Sequence, residues 1–219
     1  MTLKSASGRT EHAVAALTAQ ILAGTIVAGT PLREAAHASA LGVSRNTFRE
    51  AIRVLAARGL VHQARHRGAI VAALTANDVA DLYRIRRLLE LTAIARTADR
   101  PVETFHPLGA AVEQLAAAVG SGDEAKTIEA DLAFHRAIVD LHASPRLSRT
   151  FATSLDELRL ALAMLNARHR VLSGLLEEHR MMYALLLAGD SAGCEALLAR
   201  HLADSERAVH EALPPGSAP

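Results

Sequence analysis

Several residue types that would indicate particular protein classes are scarce in this chain of 219 residues. It has one cysteine and no tryptophan, and aromatic residues make up 3% of it. The single Cys194 cannot form an internal disulfide, which excludes a disulfide-stabilised secreted domain and favours a reducing compartment. No apolar run approaches the roughly 20 residues that span a bilayer, and residues 1–12 lack a signal peptide's hydrophobic core. We therefore expect a soluble, cytoplasmic protein with no membrane partner.

What the chain does have is a large apolar fraction and an uneven charge. Half of its residues are hydrophobic, and alanine and leucine dominate, which favours helices over sheets. The net charge is +1, but residues 1–72 carry nine Lys/Arg against three Asp/Glu. The remainder carries fifteen against twenty. A basic first part joined to an acidic body suggests a module that binds a polyanion, attached to a second domain.

The stretch 42–50 is a tight turn followed by the start of a helix. Ser44 has the residue type of an N-cap, and Val43 and Phe48 stand at the spacing of a hydrophobic staple. Ala51, Ile52 and Leu55 continue an apolar stripe that should be buried. The rest of the helix presents polar and basic side chains, namely Arg45, Asn46, Thr47, Arg49 and Arg53. A short capped helix with basic groups at its N-terminal end suits the major groove of DNA.

The neighbouring segments complete a winged helix-turn-helix by the order of their parts. Before the turn we predict a helix over 10–23, a loop or short strand over 25–31, and a second helix over 33–40. After it, the β-prone pieces 61–64 and 69–71 enclose a tip composed of Arg65, His66, Arg67 and Gly68. An amphipathic helix with a few arginines is commonly just a solvated helix. The wing and the charge asymmetry favour DNA binding.

The body of the chain is expected to be wholly helical. Helices are predicted at about 75–99, 104–119, 122–142, 145–167, 172–188 and 191–211, joined by short turns, which implies an antiparallel six-helix bundle. The predicted fold is mainly α, with a winged helix-turn-helix over 10–72 and the bundle over 76–211. Residues 1–9 and 212–219 are expected to be disordered.

Four polar residues of the body stand where apolar ones belong. Asp131 and His135 share one face of a helix, while His179 and His201 each lie on an apolar stripe of another helix. A single such histidine is usually a core residue with a satisfied hydrogen bond. Four polar groups from three helices favour a shared cation, which would satisfy all of them at once.

Two resemblances extend this interpretation. The pattern of Gly42-Val43-Ser44-Arg45, Arg49-Glu50-Ala51, Gly59-Leu60 and Arg67-Gly68-Ala69 resembles the DNA-binding domain of the GntR family of bacterial regulators, over residues 10–72. The pattern of Asp131-x-x-x-His135, Glu178-His179 and His201-Leu202 resembles the effector domain of the family's FadR branch, the FCD domain, in its six-helix, VanR-like type.

The GntR resemblance implies a homodimer that reads a palindromic double-stranded DNA operator. It implies that the recognition helix enters the major groove and the wing tip the minor groove, with Arg45 and Arg49 at DNA-contacting positions. Asn46 stands where relatives most often have Thr.

The FCD resemblance implies that Asp131 and the three histidines hold a divalent metal. Zinc is the expected ion, with nickel, manganese or iron also suited to the ligands. It also implies a small organic acid as effector and an effector-contacting arginine at Arg86. The alternative for Arg86 is an internal ion pair with Glu90.

Three classes of function follow. The first is a transcription factor, as a repressor, whose DNA binding a small carboxylate modulates. The second is a metal-dependent hydrolase or oxidase with a DNA-targeting module, against which stands the lack of a positioned general base. The third is a direct metal sensor. The residues by themselves do not name the effector or the operator.

Overall fold

The computed structural model describes residues 3–64, 68–166 and 174–213. The chain forms two compact units, Met1–Ala73 and Leu74–Pro219, and each is described by itself. Within the described residues there are nine helices and three short strands. The expected fold class, mainly α with a winged helix-turn-helix ahead of a helical bundle, is confirmed. No helix in these described parts is both long and apolar enough to cross a membrane.

The first unit is a three-helix domain with a small sheet. Its elements are α1 (Leu3–Leu22), β1 (Pro31–Leu32), α2 (Glu34–Ala40), α3 (Arg45–Ala57), β2 (Val61–Ala64) and β3 (Gly68–Val71). The sheet order is β1-β3-β2 with antiparallel pairing, and Val61 lies opposite Val71 in the hairpin. The segment 25–31, expected to be a loop or a short strand, ends at Pro31, where a short strand begins and pairs with β3 of the wing.

The core of this unit explains why α3 is held so firmly. Leu17 of α1 and Phe48, Ala51 and Leu55 of α3 are essentially inaccessible to water, and α1 packs against α3. Gly59 has φ +72°, the left-handed conformation that ends a helix and that glycine adopts without steric strain. The apolar stripe predicted for this helix is therefore buried as expected.

The first helix begins earlier than the sequence suggested. Residues 1–9 were expected to be disordered, with a helix from about Thr10, whereas α1 begins at Leu3. Once Ala13, Val14 and Leu17 fix the helix by burial, extending it toward the N-terminus adds one hydrogen bond for each residue that becomes ordered. The expected disordered tail falls outside the described residues from Pro214 onward.

Six helices lie in the described residues of the second unit. They are α4 (Ala76–Arg86, a π-helical segment Arg87–Leu91, and a last α-helical turn Thr92–Ile94), α5 (His106–Ser121, preceded by a 3₁₀ turn Val102–Phe105), α6 (Glu124–Asp140), α7 (Pro145–Asn166), α8 (Leu175–Leu187) and α9 (Ser191–Ala212). They form a closed ring in the order α4, α7, α6, α5, α8, α9, in which each helix packs against its two neighbours. Side chains on the inner faces of α4, α6, α8 and α9 can therefore approach one another.

The starts of α4, α6 and α9 are fixed by side-chain caps. Thr75 forms a capping box with Asp78 at the start of α4, and Asp123 and Asp190 cap α6 and α9 by accepting from backbone N–H groups. Such caps satisfy N–H groups that have no partner within the helix and stabilise it by about 1 kcal/mol each. The caps fix the starts of three of the four helices that carry polar groups of the core, whereas α8, which carries His179, begins after Gly174 without a side-chain cap.

The segment Arg87–Leu91 of α4 departs from regular α-helical geometry. It changes which side of the helix is buried, since Glu90 is 0% exposed, whereas Leu89, which regular helical spacing from Val79, Leu82 and Ala93 would put on one inner stripe, is half-buried. His142, in the turn that follows α6, contacts this segment, with Nε2 2.8 Å from the carbonyl oxygen of Leu89. Single-turn π segments inside α-helices occur frequently at functional sites.

Candidate functional site: a DNA-binding helix and a buried Asp-His₃ group

The recognition helix α3 is capped by the residue that the sequence indicated. The Ser44 hydroxyl oxygen accepts a hydrogen bond from the backbone N–H of Thr47 at 3.1 Å and lies 2.9 Å from the Thr47 hydroxyl. Phe48 and Ile52 face the core, while Arg45 and Asn46 in the first turn are exposed. The helix thus presents a polar N-terminal end to solvent, which is the geometry that major-groove reading requires.

Two of the arginines predicted to contact DNA already have carboxylate partners. Arg49 Nε donates to Glu34 Oε2 at 2.8 Å, which ties α3 to α2, and Arg53 Nη1 lies 2.5 Å from Glu50 Oε1 on the same helix. All four side chains are substantially exposed, so these pairs are worth little in stability. They orient the guanidinium groups and leave donor nitrogens free for a phosphate or a base edge.

The wing is only partly described. Gly68 is exposed and has φ +73°, which allows the tight return of the hairpin into β3. Arg65, His66 and Arg67, the predicted minor-groove contacts, lie outside the described residues.

The bundle brings together the four polar residues that the sequence selected. Asp131 and His135 extend from α6, His179 from α8 and His201 from α9. One ligand atom of each lies within 4.8 Å of every other, and all four residues are buried. The three imidazole rings have centroids 5.1–5.3 Å apart, so they face a common point.

Each imidazole is held at its outer nitrogen. His135 Nδ1 lies 2.6 Å from Glu90 Oε2, His179 Nδ1 lies 2.8 Å from the carbonyl oxygen of Leu175, and His201 Nδ1 lies 2.7 Å from Glu178 Oε2. A carbonyl oxygen and an ionised carboxylate can only accept, so Nδ1 carries the hydrogen in all three rings. In the neutral imidazole, the inward Nε2 then presents a lone pair.

The inward atoms do not satisfy one another. His179 Nε2 lies 3.0 Å and His135 Nε2 lies 3.6 Å from Asp131 Oδ1, so lone pairs face lone pairs at short range. All three atoms are buried without a hydrogen-bond partner among the described residues. A divalent cation would accept all of these lone pairs, and an outward hydrogen bond from each ligating histidine is the usual support of a metal site. The residues therefore fit a metal.

The charges of the group favour the metal-binding forms for two of its members. Burial alone would raise the pKa of Asp131, but His135 and His179 outweigh it and keep this pKa well below its usual value. Burial lowers the pKa of His201 by more than Glu178 raises it. At neutral pH, Asp131 is thus an anion and His201 a neutral base.

His135 behaves differently. Burial and Arg86 lower its pKa, but Glu90 and Asp131 together raise it above the usual value. Without a cation, the surrounding carboxylates therefore favour a proton on His135 more than water does. Metal binding would have to displace any such proton, since a ligating imidazole must be neutral.

Arg86 is buried beside this group. Its side chain is 1% exposed, and its Nε donates to Glu90 Oε1 at 2.8 Å, which is the internal pair that the sequence analysis had kept as the alternative. Its guanidinium carbon lies 5.2 Å from the centre of the Tyr83 ring, and Tyr83 is held by a 2.6 Å contact between its hydroxyl and that of Ser205. Arg86 Nη2 is buried without a partner among the described residues, so the pair with Glu90 uses only part of the guanidinium.

Sequence reasoning missed the supporting groups of the site. Glu90 was considered only as a partner of Arg86, yet its second oxygen holds His135. Glu178 is adjacent to His179 and so lies about 100° away around the helix, yet it holds His201 of the next helix. The available signal was that every ligating histidine needs an acceptor for its other nitrogen.

Comparison with known proteins agrees with this arrangement. The model of the FCD domain matches residues 81–204, and that of bacterial regulatory proteins of the gntR family matches residues 9–71. A relative from Paenarthrobacter nicotinovorans, named "Probable D-xylose utilization operon transcriptional repressor", is 30% identical over 84% of this chain and 81% of its own. The gluconate operon transcriptional repressor of Bacillus subtilis is 31% identical over 55% of this chain and 49% of its own.

Solved structures show the same fold. A GntR transcriptional regulator from Rhodococcus sp. RHA1, known from its crystal structure, superposes with a TM-score of 0.81 at 29% identity and covers 94% of this chain and 100% of its own. McbR/YncC from E. coli, at 23% identity, shares the fold with a TM-score of 0.73, covering 93% of this chain and 97% of its own. The two family matches and the relatives whose names describe a repressor or regulator set the enzyme alternative aside. The chain belongs to the GntR family of bacterial regulatory proteins, in the group with an FCD domain, and is a transcriptional regulator.

Proposed function

We propose that this regulator is a homodimeric repressor that binds a palindromic operator and responds to a small organic acid bound at a divalent metal in its helical unit. One observation carries the second half of this proposal. Three Nε2 lone pairs and the Asp131 carboxylate converge in a buried space, on the same inner face of the bundle as an arginine with an unused guanidinium nitrogen.

The DNA-binding half rests on the exposed face of α3. Arg45, Asn46 and Arg49 are assigned to base edges, because arginine pairs with guanine and asparagine with adenine in the major groove. Ser44, Thr47 and Arg53 are assigned to phosphates. In the wing, Arg65, His66, Arg67 and Gly68 are assigned to the minor groove, where arginine favours narrow stretches.

The metal half assigns Asp131, His135, His179 and His201 as ligands. Three nitrogens and one oxygen suit zinc, and they also suit nickel, manganese or iron, which accept further oxygen ligands at open positions. An effector carboxylate would occupy such a position, and Arg86 Nη2 would hold the same acid through a charge-assisted hydrogen bond. The gluconate named in one relative's operon is an acid of this class.

We propose that residues 10–72 bind DNA and that residues 76–211 bind the metal and the effector and form the dimer contacts. Effector binding in the second domain would then change DNA binding by the first. Effector binding changes operator affinity only if it favours one of two states, and such coupling is typically worth about 1–3 kcal/mol. A protein that acts on an operator does so in the bacterial cytoplasm.

The effector is tested by a thermal-shift screen of small carboxylates on metal-loaded protein. The operator is selected from random duplexes, and its binding is then measured in the presence of each carboxylate that shifts the unfolding temperature. We expect a carboxylate to raise the unfolding temperature and to weaken operator binding, with neither effect after Arg86→Met. Release of the operator by metal alone, with no effect of any acid, would instead identify a direct metal sensor.

Variants separate the two halves. Arg45→Ala and Arg49→Ala should each weaken operator binding by about 1–3 kcal/mol with the metal content unchanged, and undiminished operator binding by both variants would contradict the assignment of the recognition helix. His179→Ala and His201→Ala should lower the metal content. Unchanged content by elemental analysis would reject the ligand set.

A further inference from the structure

Glu90 is the one residue that touches both Arg86 and a member of the Asp-His₃ group among the described contacts. Oε1 accepts from Arg86 Nε at 2.8 Å, and Oε2 lies 2.6 Å from His135 Nδ1. All three side chains are at most 1% exposed, so no water competes for these contacts. Each carboxylate oxygen has its own partner, and the two partners lie on different helices.

The chemistry of this position requires a carboxylate rather than another acceptor. Arg86 brings a permanent positive charge into the core, and a buried charge without a counter-ion is strongly destabilising. His135 needs an acceptor at Nδ1 in order to present its Nε2 lone pair to the group. A glutamine amide has one oxygen and could serve only one of these donors.

The backbone supports the same placement. Glu90 lies within the π-helical segment Arg87–Leu91, where the irregular turn puts the carboxylate rather than Leu89 in the core. Because His142 binds the Leu89 carbonyl oxygen, the segment is also fixed by the turn that directly follows α6, the helix that carries Asp131 and His135. The position of Glu90 is thus fixed relative to the proposed ligands Asp131 and His135.

We propose that Glu90 is a positioning residue that links Arg86 to the metal-binding group. The inference rests on the metal site of the proposed function and adds a route by which two binding groups influence each other. An anion that binds Arg86 draws charge away from the Arg86–Glu90 pair, and this strengthens the Glu90–His135 hydrogen bond. A more strongly held His135 is a better ligand. By thermodynamic reciprocity, metal at His135 then changes the affinity of Arg86 for an anion by the same factor.

The first experiment measures metal affinity by competition with a chromogenic chelator for Zn²⁺ and Co²⁺. We expect Glu90→Gln to raise the metal dissociation constant about 10–100-fold, as for other supporting contacts of ligating histidines. Glu90→Asp has a shorter side chain that reaches one partner at most, so its metal dissociation constant should lie between those of the wild type and of Glu90→Gln. The matched control is Glu113→Gln on the exposed face of α5, which should match the wild type.

The Co²⁺ spectrum separates positioning from ligation and from general structural damage. At saturation, the Glu90→Gln protein should keep the ligand-field intensity of the wild type, because Glu90 donates to no metal and the number of ligands is unchanged. A spectrum that indicates one ligand fewer would identify Glu90 as a ligand and would overturn the proposal.

A double-mutant cycle tests the link itself. We expect Arg86→Met to change the metal dissociation constant about threefold or more when residue 90 is glutamate, and clearly less in the Glu90→Gln background. An equal factor in both backgrounds would mean that Arg86 acts through space, which refutes the link. The double variant also removes the unpaired buried charge, so it remains measurable if Glu90→Gln alone does not fold.

The outcomes distinguish this inference from the function on which it rests. If the wild type binds neither ion, the metal half of the proposed function falls and the link falls with it. If the wild type binds metal and the Glu90→Gln or Glu90→Asp protein binds it equally well, the link alone is wrong.

Discussion

If a divalent ion occupies the proposed site, its removal should destabilise the helical unit by a predictable amount. The four proposed ligands come from three helices, so the unfolded chain does not hold them together and an ion would bind the folded state selectively. Under this condition, an ion at about a thousand times its dissociation constant stabilises the folded state by about 4 kcal/mol.

The size of the unit converts this free energy into temperature. Leu74–Pro219 comprises 146 residues, and for domains near this size each kcal/mol shifts the unfolding temperature by about 2–4 °C. A chelator should therefore lower the unfolding temperature of this unit by about 8–16 °C. The first unit contributes none of the four ligands, so its own transition should not move.

The assay is differential scanning calorimetry of the full chain with and without excess chelator. His179→Ala removes one ligand and should lose the response, while Glu113→Gln on the surface of α5 should keep it. An unchanged transition in a protein shown by elemental analysis to carry metal would refute the reasoning, as would an undiminished chelator response in His179→Ala.

Four further predictions concern single residues. Arg45→Ala should weaken operator binding by about 1–3 kcal/mol and relax the preference at one base position; fluorescence anisotropy with single-base operator variants measures both, and an unchanged preference would mean a phosphate contact only. Burial raises the pKa of Cys194 to about 12, so the native protein should not react with a disulfide reagent at pH 8, and rapid reaction would contradict this. Ala143 has φ +51°, a left-handed conformation that glycine adopts without strain. Ala143→Gly should therefore relieve about 1 kcal/mol of strain and raise the unfolding temperature; an unchanged temperature would mean that Ala143 does not adopt this conformation. A Cβ on Gly109 would lie 2.6 Å from the Tyr183 hydroxyl oxygen, so Gly109→Ala should destabilise by about 1–3 kcal/mol in denaturant titrations, an effect that Tyr183→Leu should suppress.

The parts of the fold that follow a local rule could be predicted from the sequence. The recognition helix has its cap at Ser44 and its termination at Gly59, and both signals depend on a few adjacent residues. Asp131 and His135 were assigned to one face because their spacing in a helix fixes it. The grouping of these two with His179 and His201 also matches the structure, since polar groups on apolar stripes must be satisfied somewhere in the core.

What could not be predicted depends on contacts between helices. The position of Glu90 depends on a π-helical turn, whereas a regular helical period had placed Leu89 on the inner stripe. Glu178 lies on the outer side of α8 when that helix is viewed alone, and only the packing of α9 brings His201 to it. The pairing of Arg49 with Glu34 likewise requires α2 and α3 to be placed together. Sequence spacing carries no information about these distances.

The exposure of Glu178 has a consequence for how this protein can diverge from its relatives. Two of the three outward histidine contacts cannot vary easily. The contact to Glu90 lies in the interior, where a substitution disturbs the packing, and the contact to the Leu175 carbonyl is to the backbone, which has no side chain to change. Glu178 has a side chain that is 40% exposed, so the surface residue at this position can vary without repacking the bundle. If the proposed site holds an ion, selection could thus adjust its affinity through a single solvent-facing position.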